Sequence, residues 1–350
     1  MKVGLVFGCR SVEHAISIRS ASNILKALFE LDVDVKPFYI DEEGFWSEIT
    51  VQRGQALQEA LLEKKPVSLN LSTFEPFDSI DLFFPIVHGT SGEDGSLQGF
   101  FELLNKPYVG PRVQSSAICM DKEIAKRLIK AKGHLVSDYI VIDRLDESIV
   151  EEVNAKIGFP CFVKPASLGS SVGISKVETK EDLKKGIELA FEVDRKVLIE
   201  KKIIGKEIEV GVIGSKKPQA SCPVWVKTTH DFYSFEAKYL DPDGAHLEVP
   251  FQADLILIEK IQQDAIAIYK ELGCESMARV DFFLTSDEEL YLNEVNTLPG
   301  FTNISAFPKA FEALGVGFKD LIEILIDEAM IRFQSESSIQ RSQLVGSNCK

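Results

Sequence analysis

The sequence predicts an α/β and α+β protein, in which an open parallel α/β sheet at the N-terminus precedes mixed, largely antiparallel layers. The first part of this prediction rests on apolar runs that alternate with helical periodicity over the first hundred residues. The second part rests on short strand patterns with Gly-rich or polar turns from residue 161 onward. Because 350 residues exceed the size of one efficient core, two or three domains are expected.

Each element follows from its local pattern. The N-terminal sheet is expected to contain strands at 2–7, 33–40 and 81–87, with helices at 17–31 and 97–104. Its ligands are expected beyond the carboxyl ends of the strands, in the polar loops 8–14 and 88–95. Farther along, the patterns predict a helix at 116–132, strands at 161–164 and 173–177, a helix at 180–193, strands at 196–201 and 207–214 in one layer, and helices at 254–272 and 318–333.

The composition excludes several classes of protein. A net charge of −15 argues against nucleic-acid binding, which needs a basic surface. Six cysteines without a Cys-x-x-Cys pair indicate free thiols in a reducing cytoplasm rather than disulfides or a zinc site. No stretch approaches the ~20 apolar residues of a membrane span. We therefore expect a cytoplasmic protein with no membrane or nucleic-acid partner.

Two pairs of polar residues lie within the apolar runs 277–284 and 290–295. Arg279 and Asp281 are two positions apart, as are Glu294 and Asn296, so each pair projects from one face of its strand. A turn at 285–289 would bring the pairs together. Two carboxylates and an amide oxygen suit Mg²⁺ bound with substrate phosphates better than Zn²⁺. The alternative is a solvated surface hairpin, although burying these groups without coordination is costly.

Two other segments have the composition of ligand-binding loops. Lys164 leads into a Gly/Ser loop at 164–173, whose backbone N–H groups and hydroxyls can approach phosphates, although its spacing is not that of a Walker A motif and a plain hairpin turn fits equally well. The polar segment 227–250 is predicted to be a functional lid, with a disordered insertion as the alternative. Residues 334–350 are expected to fray.

The order and spacing of these features resemble those of the ATP-grasp ligases over about residues 115–330. Over nearly the whole chain, apart from the polar tail, the sequence more closely resembles the D-alanine:D-alanine ligase family. The motifs that carry this resemblance are Ser-Val-Glu-His-Ala-Ile-Ser at 11–17, His-Gly-Thr-Ser-Gly-Glu-Asp-Gly-Ser-Leu-Gln-Gly at 88–99, Met-Asp-Lys at 120–122, the Gly/Ser loop, Glu-Ala-Lys-Tyr at 236–239 and Asn-Glu-Val-Asn-Thr-Leu-Pro-Gly at 293–300.

The resemblance implies a fold and a set of cofactor contacts. It implies a pre-ATP-grasp α/β domain at 1–115, a central ATP-grasp subdomain at 116–205, a C-terminal subdomain at 206–333 and a polar tail at 334–350. The implied ATP contacts are Lys122, Lys164 and Lys238 to phosphates, Glu200 and the Lys201 backbone to adenine, and Glu207 to ribose. The implied ligands of two Mg²⁺ ions, for which Mn²⁺ could substitute, are Asp281, Glu294 and Asn296.

The resemblance also implies the chemistry and the substrate contacts. ATP would phosphorylate the carboxylate of one D-alanine, and the amine of a second would displace phosphate to give D-alanyl-D-alanine for peptidoglycan synthesis. Glu13 is implied to bind the first ammonium group, with helix capping as the alternative, and His88 to lie nearby or to serve a structural role. The remaining implied contacts are Ser170 and Tyr239 holding the lid, Arg279 and Gly300 forming an oxyanion hole, and Arg279 and Ser305 binding the second carboxylate.

Several alternatives remain open at the sequence level. The Glu-Ala-Lys-Tyr tetrad matches dipeptide-forming relatives, yet His230 and His246 lie in the same loop, and D-serine remains open at the second position because a pocket rejects one added hydroxyl poorly. Another ATP-dependent carboxylate–amine ligase and a non-catalytic nucleotide-binding regulator are the competing functions. A homodimer is expected from the resemblance.

Overall fold

The structure is a computed structural model that describes residues 1–146, 148–228 and 244–339. Within these ranges the strands form three sheets, of five, four and seven strands. No helix in the described ranges is long and apolar enough to cross a membrane. The predicted combination of α/β and α+β layers is confirmed.

The first sheet is parallel at its centre and antiparallel at one edge. Across the sheet, its strands are β4 (Lys65–Pro66), β3 (Trp46–Glu48), β2 (Asp34–Ile40), β1 (Lys2–Gly8) and β5 (Leu82–Ile86). β1 runs parallel to both β2 and β5. The helices of this part are α1 (His14–Glu30), α2 (Leu57–Ala60) and α3 (Ser96–Leu103), with a 3₁₀ turn at Leu61–Glu63. β1 has no polar side chain after Lys2, because Leu5 and Phe7 face one core and Val6 faces another.

The second sheet is antiparallel and covered by two helices. Its strands, in spatial order, are β7 (Tyr139–Ile142), β10 (Val197–Lys201), β8 (Cys161–Pro165) and β9 (Ser175–Val177). Its helices are α6 (Ile149–Lys156) and α7 (Lys180–Phe191). Leu183 and Ile187 of α7 pack with Val163 and Ile199 of the strands in one buried core. The Gly/Ser loop connects β8 to β9, as the sequence predicts.

The third sheet is the largest. Its strands, in spatial order, are β14 (Ala245–Glu248), β13 (Val224–Thr228), β11 (Lys206–Ile213), β15 (Met277–Leu284), β16 (Leu290–Asn296) and β6 (Leu135–Val136), with β12 (Gln219–Ala220) beside β11. Its helices are α4 (Val113–Met120), α5 (Lys122–Ala131), α8 (Leu255–Glu271) and α9 (Ala306–Glu312), and α10 (Phe318–Ser337) closes the described chain against the first sheet.

Alternation along the central strands separates an apolar face from a polar face. Val210 of β11 and Val280 and Phe282 of β15 lie in one core with Ile261 and Ile268 of α8. The intervening side chains therefore project from the opposite face of the sheet, as the pleat requires.

Two predictions about the central elements are wrong. The expected helix at 116–132 is two helices, α4 and α5, because Asp121 adopts extended backbone (φ −86°, ψ 97°) between them. Its side chain accepts hydrogen bonds from the N–H groups of Glu123 and Ile124, at 3.1 and 3.2 Å, and so caps α5. The strands expected in one layer are also separated, with β10 in the second sheet and β11 in the third. Alternation shows which face a residue occupies but not which sheet its strand joins.

The two polar segments are also shorter than expected. α10 continues through Gln334 to Ser337, because Glu336 forms an ion pair with Arg112. Residues 340–350 lie outside the described chain. In the predicted lid, β13 extends to Thr228 and pairs with β14, and residues 229–243 lie outside the described chain. The domain boundaries stay predictions; Cys119 of α4, just beyond the first, packs in the core of the third sheet.

We expect Asp121→Ala to lower the free energy of unfolding by about 1–2 kcal/mol, because it removes the cap of α5 and the ion pair from Asp121 to Lys196. Chemical denaturation measures the effect. Asp121→Asn is the matched control, since it keeps a cap acceptor and loses only the charge. Equal losses in the two variants would show that the cap contributes nothing.

Candidate active site

The polar face of the third sheet concentrates charge at the centre of the molecule. Asp281 of β15 lies opposite Glu209 of β11 and opposite Glu294 of β16, while Arg279 lies opposite Asn296. The turn between β15 and β16 is closed by a hydrogen bond from the Thr285 N–H to the Glu289 carbonyl (3.0 Å). The structure thus brings together the two pairs singled out from their spacing.

A register shift lets two consecutive residues of β16 face charged partners. The shift falls between Asp281 and Phe282 of β15 and adds one residue to β16. Asn293 accepts a hydrogen bond from Lys164 Nζ (3.3 Å), and the neighbouring Glu294 pairs with Lys122 Nζ (3.1 Å). Such bulges re-aim side chains beside functional sites.

Arg279 is held by carboxylates on two strands. Its Nε and Nη2 donate to the two oxygens of Asp281, at 2.8 and 2.7 Å, and Nε lies 3.3 Å from Glu209 Oε2. Asn296 Nδ2 donates to Asp281 Oδ2 (2.9 Å). Burial raises the pKa of Asp281 to about 7 against the opposing effect of Arg279, and the nearby Glu209 charge adds to the rise. The cluster therefore has an excess of negative charge that favours a bound cation.

A second buried cluster joins α5 to the four-stranded sheet. Glu200 of β10 lies between Lys126 and Lys164, with Oε1 3.1 Å from one Nζ and Oε2 2.7 Å from the other. Burial alone would raise the pKa of Glu200, but the two ammonium groups outweigh it and hold that pKa at about 2. Lys126 also donates to the Leu292 carbonyl (3.1 Å). The Glu200 carboxylate thus serves as a counter-ion to two lysines.

The N-terminal loops contribute Glu13 and the residues around it. An added Cβ on Gly89, which has φ +72°, would lie 2.9 Å from Glu13 Oε2, and one on Gly169 would lie 3.2 Å from the same oxygen. Glu13 therefore lies between a loop of the first sheet and the Gly/Ser loop. It precedes α1, but its side chain makes no cap hydrogen bond. This observation argues against the helix-capping alternative. Ser170 is buried in left-handed backbone (φ 54°).

His88 and Glu93 connect the first sheet to the loop after β16. His88 Nδ1 donates to the Leu298 carbonyl (2.8 Å), and its Nε2 lies 3.0 Å from Ser20 Oγ. Burial lowers the pKa of His88 and favours its neutral form. Glu93 accepts from the N–H groups of Gly89 (2.9 Å) and Leu298 (3.1 Å), and burial, with the Glu13 charge, raises its pKa to about 7. Both ring nitrogens of His88 have structural partners, although the residue also lines the cleft.

Gly300 and Ser305 form a compact turn before α9. Ser305 Oγ accepts from the Thr302 N–H (3.0 Å), and an added Cβ on Gly300 would lie 2.7 Å from that hydroxyl. The close approach explains why glycine occupies this position.

Part of this set lines one cleft of about 810 Å³, a size that accommodates a nucleotide together with small substrates, whereas Asp281, Lys164 and Glu200 lie outside its lining. The predicted site residues that do line the cleft are Glu13, Lys122, Ser170, Arg279, Glu294, Asn296, Gly300 and Ser305. Lys201 has an exposed side chain at the end of β10, and its N–H donates to the Asp138 carbonyl (2.9 Å). Glu207 is half-buried on β11. Lys238 and Tyr239 lie outside the described residues.

Comparison with known proteins decides the family. Residues 2–111 match the description "D-ala D-ala ligase N-terminus", and residues 128–327 match "D-ala D-ala ligase C-terminus". The chain is 42% identical to D-alanine–D-alanine ligase A of Salmonella typhimurium in an alignment 358 positions long, which covers 97% of this chain and 98% of the relative. The chain belongs to the D-alanine–D-alanine ligase family. The predicted ATP-dependent D-alanine ligation for peptidoglycan synthesis is thereby confirmed.

Two solved structures have the same fold over nearly the whole chain. The D-alanine–D-alanine ligase from Coxiella burnetii is 35% identical and superposes with a TM-score of 0.84, covering 96% of this chain and 97% of its own. The VanG D-Ala:D-Ser ligase from Enterococcus faecalis is also 35% identical, with a TM-score of 0.85 and coverage of 94% and 99%. The predicted ATP-grasp fold is confirmed.

The residues expected to hold metal, Asp281, Glu294 and Asn296, form a suitable donor set. Among the described residues no group of three His, Cys, Asp or Glu side chains forms a metal cluster, but the expected set contains two carboxylates and one amide. Asn296 bonds Asp281 through its nitrogen, which leaves its oxygen as the ligand atom. Both carboxylates now lie against cationic side chains. Such a set fits a hard divalent cation.

Sequence reasoning missed three buried charged residues of this ligase. Glu209 follows the same two-residue spacing, after Glu207, that singled out Arg279 and Asp281. Lys126 lies one helical turn after Lys122. Glu93 lies inside the motif at 88–99 that carries the resemblance. Spacing was therefore an available signal for the first two, whereas the third requires knowledge that its loop is buried.

We expect Glu200→Gln to destabilise the protein by roughly 3 kcal/mol at pH 7, because it leaves Lys126 and Lys164 without their shared counter-ion. The depressed pKa of about 2 means that the carboxylate stabilises the fold above its ordinary pKa and loses that effect as the pH falls toward 2. The difference in free energy of unfolding between the two proteins should therefore shrink between about pH 5 and pH 2.

Denaturation at a series of pH values measures this difference. Glu152→Gln is the control, because Glu152 forms an exposed pair with Lys156 on α6 and should change stability by less than about 0.5 kcal/mol. A pH-independent difference for Glu200→Gln would rule out the charge as its cause.

Proposed function

We propose that the cleft binds ATP and two D-alanine molecules and forms D-alanyl-D-alanine through the residues described above. The observation that carries this proposal is that acidic and basic side chains are paired around the cleft. Arg279 pairs with Asp281 on the third sheet, Lys122 pairs with Glu294, and Lys164 pairs with Glu200. A triphosphate needs the lysines, and its counter-cations need the carboxylates. Bound ATP and its counter-cations could thus replace these internal ion pairs with pairs between lysine and phosphate and between carboxylate and metal.

The proposed reaction has two displacements. A carboxylate oxygen of the first D-alanine attacks the γ-phosphorus of ATP, the bond to the β-phosphate oxygen breaks, and ADP leaves. The amine of the second D-alanine then attacks the acyl carbon, loses a proton, and expels phosphate from the tetrahedral intermediate. Activation is needed because a carboxylate is a poor electrophile. One phosphate and one peptide bond result for each ATP consumed.

We assign substrate positions from the charges in the cleft. Glu13, between the first sheet and the Gly/Ser loop, suits the ammonium group of the first D-alanine. Arg279 and the Gly300 N–H suit the oxyanion, and Arg279 with Ser305 suits the second carboxylate, for which a guanidinium is the natural partner. Lys122 and Lys164 suit the phosphates, with Lys238 from outside the described chain completing the set.

Asp281, Glu294 and Asn296 would hold two Mg²⁺ ions, for which Mn²⁺ could substitute. Metal bound there would neutralise the negative charge that develops on the phosphate oxygens during phosphoryl transfer. Arg279 holds Asp281 through two hydrogen bonds that also orient the guanidinium. We further propose adenine contacts at Glu200 and Lys201, a ribose contact at Glu207, a lid held by Ser170 and Tyr239, and a cytoplasmic homodimer without membrane or nucleic-acid partners.

D-serine is the second candidate for the second amine. The observation that favours it is the fold similarity to the D-Ala:D-Ser ligase from Enterococcus faecalis. A pocket built for a methyl group discriminates weakly against one added hydroxyl.

Phosphate release from ATP and Mg²⁺ with D-alanine alone is the first measurement, followed by D-alanine mixed with D-serine or D-lactate and mass analysis of the products. We expect D-alanyl-D-alanine as the main product. Preferential formation of the mixed dipeptide would assign the second site to D-serine. ATP binding without turnover on any of these substrates would contradict the proposed function.

We expect Glu294→Gln to abolish turnover while sparing the fold, because it removes a metal-binding charge that is only partly buried. Circular dichroism and thermal unfolding report the fold, and phosphate release reports turnover. Glu289→Gln in the adjoining turn is exposed and serves as the control with normal activity. Full activity in Glu294→Gln would remove Glu294 from the metal site.

A further inference from the structure

We propose that Glu209 is a positioning residue that holds the Arg279 guanidinium in place for the second substrate when Asp281 is engaged by metal. This inference rests on the proposed function. It concerns a residue on the neighbouring strand, outside the set of residues identified from the sequence.

The first step concerns the competing roles of Asp281. In the structure both of its oxygens accept from Arg279, and Oδ2 also accepts from Asn296. A divalent cation bound to Asp281 would compete for the lone pairs of the same oxygens. The hydrogen bonds from Arg279 to Asp281 would then weaken. An arginine that must orient a substrate then requires an anchor that is not a metal ligand.

Glu209 meets the requirements for that anchor. It lies directly opposite Asp281 across the β11–β15 pair, so the strand pairing fixes its distance from Arg279. Its Oε2 lies 3.3 Å from Arg279 Nε, on the inner edge of the guanidinium. The hydrogen bonds to Asp281 come from Nε and Nη2, and the contact with Glu209 is made at Nε. An anchor at Nε thus keeps the outer edge of Arg279 toward the cleft that it lines.

Burial makes this anchor effective. Only 6% of Glu209 is exposed, and a carboxylate at that depth interacts with a guanidinium far more strongly than a surface pair does. A rigid strand carries each group, since β11 pairs with β15 over eight residues, from Lys206 opposite Leu284 to Ile213 opposite Met277. Side chains on rigid elements preserve the narrow geometry that catalysis needs.

The test uses Glu209→Gln, which keeps the shape and an acceptor but removes the charge. Two amines are compared as acceptors of the D-alanyl phosphate: D-alanine, which has a carboxylate for Arg279, and hydroxylamine, which has none. We expect the ratio of the dipeptide to the hydroxamate formation rate to fall roughly tenfold, the loss expected for one charge-assisted contact. An unchanged ratio would overturn the proposal, including the case in which both rates fall together.

A binding measurement separates this role from metal ligation. Calorimetric titration with D-alanyl-D-alanine, in the presence of ADP and Mg²⁺, should give a Kd about tenfold higher in Glu209→Gln, with the Kd of ADP unchanged. An increased Mg²⁺ requirement with an unchanged dipeptide Kd would instead identify Glu209 as a metal ligand and overturn the positioning role.

Two variants complete the design. Glu207→Gln, two residues earlier on the same face of β11, should weaken ATP binding without changing the dipeptide-to-hydroxamate ratio. Glu209→Asp keeps the charge on a shorter side chain, and we expect a smaller fall in the ratio; it also provides the test if Glu209→Gln does not fold. If the wild-type protein forms neither product from D-alanine, the proposed function fails, and this outcome differs from every result that concerns Glu209 alone.

Discussion

The register that joins β11, β15 and β16 determines most of this site. Three strands in fixed alignment place Glu209, Asp281 and Glu294 side by side, with Arg279 within reach of two of them. The same register sends the alternate residues into the apolar core beneath α8. A shift of one residue would bury the charges and expose the core. The hydrophobic core therefore specifies the arrangement of the charged groups, and the site needs no separate device to assemble it.

Charge compensation is the second constraint, because several ionised groups lie away from water. Two carboxylates of the site are matched by buried cations, since Glu294 pairs with Lys122 and Glu200 pairs with both Lys126 and Lys164. A buried ion pair contributes little net stability, but an isolated buried charge is very costly. Lys126 matters for this reason. If ATP phosphates draw Lys164 away, as the proposed function requires, Lys126 would remain beside Glu200, so ligand binding would not leave that carboxylate unpaired.

Local pattern predicted the parts of the molecule in which one strand or one hairpin determines the geometry. The spacing of Arg279, Asp281, Glu294 and Asn296 was sufficient to place them together, since a hairpin fixes its own pairing. The separation of β10 from β11 and the break at Asp121 were not predicted, because they depend on packing between distant segments. Glu93 escaped notice for the same reason: its acceptor role involves Leu298, 205 residues away, and no local pattern records that contact.

The contacts across the cleft differ in chemistry, and the difference bears on how substrates enter. The first sheet is tied to the loop after β16 by directional hydrogen bonds of buried groups. His88 donates to the Leu298 carbonyl, Glu93 accepts from the Leu298 N–H, and Asn23 donates to the Phe301 carbonyl (3.0 Å). The four-stranded sheet meets the third sheet and α5 through the buried lysines Lys126 and Lys164, whose ammonium groups pair with Glu200. In the proposed function, ATP phosphates would compete directly for Lys164 but would have nothing to exchange with the buried hydrogen bonds. Nucleotide binding should therefore alter the second of these interfaces and leave the first, with its D-alanine positions, intact.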